Sequence, residues 1–165
     1  MARYADKPSA EVSVDIAAAP AVVWDLVTDI NLPARFSSEF LGADWIDTDT
    51  PALGARFVGR NQRGETTKWD TTCTVIWFEP FRDFGYAVED VASPAASWRY
   101  TLEPDDSGGT RLTMWAEMGP GRSGVSWYIR QHPDQEEAIV ATRLEEWRIN
   151  MEATLAGIRS LAEVA

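Results

Sequence analysis

The chain has 165 residues, 45% hydrophobic and 25% charged, enough for one domain with a real core and too apolar for a disordered chain. A formal charge of -11 and a pI near 4.5 oppose binding to phosphate backbones, so no nucleic-acid partner is expected. A single cysteine, Cys73, excludes an internal disulfide, and a single histidine, His132, leaves no His/Cys cluster to hold zinc or haem.

Residues 1–9 carry Arg3, Asp6 and Lys7, lack the apolar core of a signal peptide, and read as an N-terminal tail before a single domain over residues 10–165. The longest apolar run, Ile16 to Trp24, is too short to span a bilayer and contains Pro20. The expectation is a cytoplasmic protein without integral membrane association; monomer and homodimer both stay open. Val12, Val14 and Ile16 alternate with Glu11, Ser13 and Asp15, as in a half-buried strand. Pro20 suits the first turn of a short helix with Val23, Trp24 and Val27 on one face, and Asn31 to Phe36 opens a second.

From Ala43 the chain breaks into short segments divided by turn residues, an antiparallel meander. Its strands run over Ala43–Ile46, Gly54–Asn61 and Lys68–Phe78, then around Phe84, Tyr86 and Val88, around Trp98, Tyr100 and Leu102, and around Leu112, Met114, Ala116 and Met118. In the long third segment Trp69, Thr71, Cys73, Val75 and Trp77 are expected on one face. Gly119 to Asp134 reads as a glycine-rich flap. The last segment, Asp134 to Ala162, has an unbroken helical period, with Val140, Leu144, Trp147, Met151, Leu155, Ile158 and Ala162 on one stripe. Asp134 and Glu137 have the spacing of a capping box, and Arg148 and Glu152 can pair across one turn of the wet face. About seven strands, two short helices after the first and one long terminal helix make an α+β domain, its curved sheet wrapped on that helix.

These segments resemble the START-like or Bet v 1-like superfamily with the helix-grip fold, in its polyketide cyclase/dehydrase branch. The resemblance rests on Ala19-Pro20-Ala21-Val22-Val23-Trp24 with Asp29 and Pro33, on Gly54 to Asn61, on Trp69, on Val75 to Pro80, on Trp98-Arg99-Tyr100, on Gly108 to Arg111, and on Thr154 to Ile158. It implies a deep hydrophobic cavity between sheet and terminal helix and no cofactor, and it fixes no reaction.

Eight Trp, six Phe and four Tyr either fill a core or line such a cavity. Glycines 119, 121 and 124 spell a dinucleotide-binding pattern, but no strand-helix-strand unit surrounds them. His132 reads as a surface residue at a helix start and Cys73 as an inert thiol, so no catalytic residue is assigned. The expected ligand-binding set is Phe57, Gly59 and Asn61; Trp69, Thr71, Cys73 and Val75; Tyr86, Trp98, Tyr100 and Met114; and, on the helix, Arg143, Leu144, Trp147, Asn150 and Met151. Asn61 offers a donor and an acceptor between apolar walls, the tyrosines and Trp69 offer apolar bodies with polar tips, and Arg143 and Asn150 flank the apolar stripe. The first expectation is binding of an aromatic, polyketide-like or lipid-like small molecule. The alternative is a cofactor-free aromatase/cyclase or dehydratase in which Asn61, Tyr86 or Arg143 polarises a carbonyl. A co-chaperone-like interaction domain is the third.

Overall fold

In the computed structural model, which describes residues 2–165, the two strands that come first in the chain form opposite edges of one sheet. The strands are β1 (Ser9–Ile16), β2 (Phe40–Ile46), β3 (Arg56–Arg63), β4 (Thr67–Glu79), β5 (Asp83–Val88), β6 (Ala96–Pro104) and β7 (Thr110–Met118). They lie in the order β1-β7-β6-β5-β4-β3-β2 with every neighbouring pair antiparallel. Five successive hairpins build the run from β2 to β7, as the turn residues between alternating segments require. Helix α1 (Pro20–Val27) and a 3-10 turn at Leu32–Arg35 connect the two edges, with Val23, Trp24, Val27 and Leu32 buried. Pro20 occupies the first turn of α1, and Ala19 gives it no side-chain cap.

The terminal helix α3 spans Glu136–Glu163, so it starts two residues later than the capping-box spacing predicts. Pro133–Gln135 forms a 3-10 turn instead, and Gln135 precedes the helix without a side-chain cap. The Glu136 carboxylate turns to the N-terminal segment, accepting from Tyr4 N at 3.0 Å and Arg3 Nε at 3.0 Å. The expected stripe is buried at Val140, Trp147, Met151, Leu155, Ile158 and Ala162; Leu144 is half-buried at its margin. Arg148 pairs with Glu152 as expected, and also with Glu145. Gly157 is the contact point of α3 with the turn before β2, because a Cβ there would lie 2.5 Å from Phe36 Cδ1.

One predicted face is interrupted. A bulge between Val75 and Trp77 shifts the β4 register, so Phe78 joins Trp24 and Phe84 inside while Trp77 leaves the face of Cys73 and Val75. Trp77 meets Trp115 at 6.0 Å on the other side of the sheet, with Arg99 over its ring. Gly85 accommodates it, since a Cβ there would come 2.6 Å from the Trp77 ring.

The segment between β7 and α3 also differs from the flap the sequence suggests. It contains helix α2 (Gly124–Gln131), opened by a reciprocal bond pair in which Ser126 N donates to Ser123 Oγ at 3.1 Å and Ser123 N donates to Ser126 Oγ at 2.8 Å. A helix therefore does begin at Gly124, yet no parallel strand follows, and the glycine pattern has a packing explanation. Gly119 takes a φ of +69° against the Tyr4 ring, and Gly121 lies against the Ser93 and Pro94 backbone. Among the described residues, no helix is long and apolar enough to cross a membrane.

Candidate functional site

The sheet curves around α3 without closing on all of it. Leu155, Ile158 and Ala162 pack into the core toward α1 and β1, whereas the half of α3 holding Arg143, Trp147 and Met151 stands off from the sheet. Between them lies a cavity of about 770 Å³, within the size range of small-molecule pockets. Its floor is the concave face of β3 to β7, its roof is α3, and its mouth lies among α2, the Ser37–Phe40 turn and the β3–β4 hairpin.

Of the residues expected from sequence, Phe57, Gly59, Asn61, Trp69, Thr71, Cys73, Tyr86, Trp98, Tyr100, Met114, Arg143, Trp147, Asn150 and Met151 line this space. Val75 and Leu144 do not. Val75 is 1% exposed and sealed in the core below the cavity floor, and Leu144 sits on the flank of α3 rather than its underside. The walls also include residues the sequence reading missed: Tyr4, Ile30 and Phe40, the α2 residues Val125, Trp127 and Tyr128, and Ile139 and Thr154 of α3. The signal for α2 was present in Ser123 and Ser126 ahead of Ile129, a cap with its reciprocal partner before an apolar position.

The aromatic groups make walls rather than filling. Phe57 and Tyr86 meet edge to face at 4.9 Å, Trp45 backs Phe57 at 5.5 Å, and the Trp98 and Trp147 rings meet at 4.9 Å. Tyr86 lies opposite Trp98 and Tyr100 opposite Met114 in the register, so the two phenols are diagonal neighbours on one face. Neither hydroxyl has a hydrogen-bond partner among the described residues, and no such atom is sealed away from open space, so both oxygens face the cavity. Burial raises both phenols above their ordinary range; for Tyr86, the nearby Cys73 and Tyr100 add to it. Burial likewise pushes the Cys73 thiol up to about 12, against the lowering effect of its contact with Thr71 at 3.9 Å.

Two of the expected polar anchors are already engaged. Arg143 Nη1 donates to Glu39 at 3.0 Å and to Glu146 at 2.9 Å, while Nη2 also pairs with Glu39. Burial opposes that charge, and the two carboxylates outweigh the opposition. Glu146 in turn takes Arg63, at 2.6 Å. Asn150 accepts from Ser38 N at 2.9 Å and from Ser38 Oγ at 3.1 Å, which ties the mouth turn to α3. Asn61 remains open to the cavity, its amide making only long contacts of 3.5 Å to Gly59 O and 3.4 Å to Thr71 Oγ1. His132 ends α2, and its ring meets that of Tyr128 at a tilt of 45° with centroids 4.5 Å apart.

A curved antiparallel sheet gripping a long helix, with an apolar cavity left between them, defines a helix-grip protein of the START-like, Bet v 1-like class. The chain belongs to the family described as polyketide cyclase / dehydrase and lipid transport, whose model matches residues 7–163. It is similar to the solved structure of the Polyketide_cyc-like protein Cgl2372 from Corynebacterium glutamicum, at 31% identity over 94% of this chain and 91% of that one, with a TM-score of 0.68. Two more distant structures share the fold. The di-domain ARO/CYC StfQ from the steffimycin biosynthetic pathway is 15% identical with a TM-score of 0.60, over 93% of this chain and 44% of that one. Ginseng major latex-like protein 151 from Panax ginseng is 5% identical with a TM-score of 0.63, over 94% and 97% of the two chains. No curated protein matches the chain.

Proposed function

We propose that this protein binds a small hydrophobic molecule in the cavity between its sheet and α3. The observation that carries this reading is about 770 Å³ of open space in which aromatic side chains pack against each other along the walls. Transferring apolar ligand surface out of water at roughly 25 cal/mol per Å² supplies the affinity, and the few polar groups set orientation. Expected site residues are Phe57, Tyr86, Trp98, Tyr100, Met114, Trp147 and Met151, with Asn61 as the polar anchor.

An aromatase/cyclase role on a poly-keto chain is the second reading, favoured by the family description and by the neutral hydroxyls that could polarise a carbonyl. Binding is preferred because the inner titratable groups, Cys73, Tyr86 and Tyr100, all hold their protons above the neutral range, and Arg143 is engaged by carboxylates. Proton abstraction at neutral pH needs a group that gives and takes its proton there. Fluorescence titration with N-phenylnaphthylamine tests the binding reading: saturable blue-shifted emission is expected, and Thr71→Phe, which puts a phenyl ring into part of the cavity, should weaken it while circular dichroism stays native. Absence of any saturable binding in the wild type would overturn it. Turnover of a poly-keto mimic, lost in Asn61→Ala, would put the cyclase reading first.

A further inference from the structure

Building on the reading of the cavity as a ligand site, we infer that its ligand is an uncharged, flat molecule carrying carbonyl or ether oxygens, and that the interior rejects carboxylates such as fatty acids. Beside the Asn61 amide, which can both donate and accept, the polar groups left open on the inner walls include the phenols of Tyr86 and Tyr100 and the indole N–H groups of Trp98 and Trp147. Tyr100 and Trp147 are only 5% and 6% exposed, yet none of the four has a hydrogen-bond partner among the described residues. An indole N–H can only donate, and a phenol donates at least as readily as it accepts. Unmet donors in an apolar space are costly, and a ligand oxygen placed among them removes that cost, whereas an alkyl chain leaves it in place.

Charge excludes the anionic alternative. The carboxylates and guanidiniums on the walls are Asp29, Glu39, Arg63, Asp70, Glu89, Arg122 and Arg143. Asp29, Arg63, Asp70, Glu89 and Arg122 are exposed, and the inner Arg143 faces Glu39 and Glu146, the latter shared with Arg63. Two cations meet two anions, which leaves no surplus positive charge within. A buried carboxylate there would stand unpaired. Tyr4 and Tyr128 sit at the mouth side with α2, and Cys73, Tyr86 and Tyr100 stay protonated, so the floor keeps its neutral character across the physiological range. Flatness follows from the walls themselves, where Phe57, Tyr86, Trp98 and Trp147 present ring faces and edges.

A matched ligand set tests this: fluorene, fluorenone and fluorenecarboxylate, three similar ring systems differing in an acceptor and a charge. Each is titrated against the whole protein by tryptophan fluorescence and by displacement of N-phenylnaphthylamine, a neutral probe without oxygen. Fluorenone is expected to bind about tenfold tighter than fluorene, the size of effect that one or two satisfied donors produce, with fluorenecarboxylate weakest. In the Tyr86→Phe/Tyr100→Phe double variant fluorenone should lose its advantage, the ratio of its affinity to that of fluorene falling toward one. Equal affinity of fluorene and fluorenone, or an unchanged ratio in the variant, would overturn the inference and leave the cavity reading standing. Fluorenecarboxylate as the tightest ligand would also overturn it, and its loss in Arg122→Ala would then locate the charge at the mouth. Failure of the oxygen-free probe itself to bind takes down the cavity reading and this inference with it.

Discussion

Arg143 sits on the buried side of α3, where an isolated guanidinium would be untenable, and the two carboxylates around it decide its role. Sequence placed it at the edge of the apolar stripe, able to reach into a cavity or over its mouth; it could not show that Glu39, more than a hundred residues away, would meet it there. The pairing makes Arg143 a clamp between α3 and the turn before β2, reinforced by Asn150 and Ser38 about two helical turns further on. Arg143→Met is expected to cost about 3 kcal/mol, the low end for breaking a buried pair, because Glu39 keeps some contact with water. Glu39→Gln in the same chain should restore part of that loss by removing the stranded charge. Urea unfolding of the two single variants and the double closes the cycle, and additive costs would show that the pair is not coupled.

At the scale of elements, legibility followed the regularity of the environment. The strands were readable because an antiparallel sheet with one dry face forces alternation, and the register then confirms nearly every inward position from Phe57 to Met118. Trp77 escaped because a bulge is a property of the pair of strands, not of the β4 sequence alone. Helix α2 escaped for another reason: three glycines and Pro120 argue for a loop, and only eight residues of helix follow. Tyr4 ties down the start of α2, its hydroxyl donating to Gly121 O at 2.6 Å and lying 3.1 Å from Ser123 Oγ, while Ile129 packs the helix into the core. The N-terminal segment is thus a strap on the mouth. Tyr4→Phe keeps the ring contact with Gly119 and deletes the bonds, so amide exchange across residues 123–131 should quicken by about tenfold, in line with one lost hydrogen bond of ~1 kcal/mol. Exchange in β5 and β6 should not change; an equal rise there would mean that the strap stabilises the whole domain.

For the whole molecule, the open question from sequence was whether so many aromatic rings fill the space under α3 or surround it, and no period in the chain encodes the distance between a helix and a sheet. The groups around that space set a pH dependence of stability through their ion pairs and their burial. On the acid side, burial would raise the Glu146 carboxyl, but the hydrogen bonds and charges of Arg63 and Arg143 together hold it below its ordinary 4.5. Its contribution is therefore present above pH 4.5 and is lost as pH falls through the folded value. On the alkaline side the sign reverses. In the unfolded chain the Cys73 thiol ionises near 9 and the phenols near 10, while in the folded chain the thiol holds its proton to about 12 and the phenols still higher than their ordinary range. The unfolded state releases these protons first, so the stabilisation is complete below pH 9 and drains away as pH climbs toward 12. Thermal melts across this range should show a flat region ending near pH 9, and Cys73→Ala should delay the descent until the phenols begin to ionise near 10. The same alkaline slope in wild type and Cys73→Ala would place the thiol in water. A ligand bound among the two phenols should raise the melting temperature throughout and carry the remaining descent to higher pH without moving its onset near 10, because the unfolded phenols set that onset while the ligand's oxygens hold the folded hydroxyls protonated.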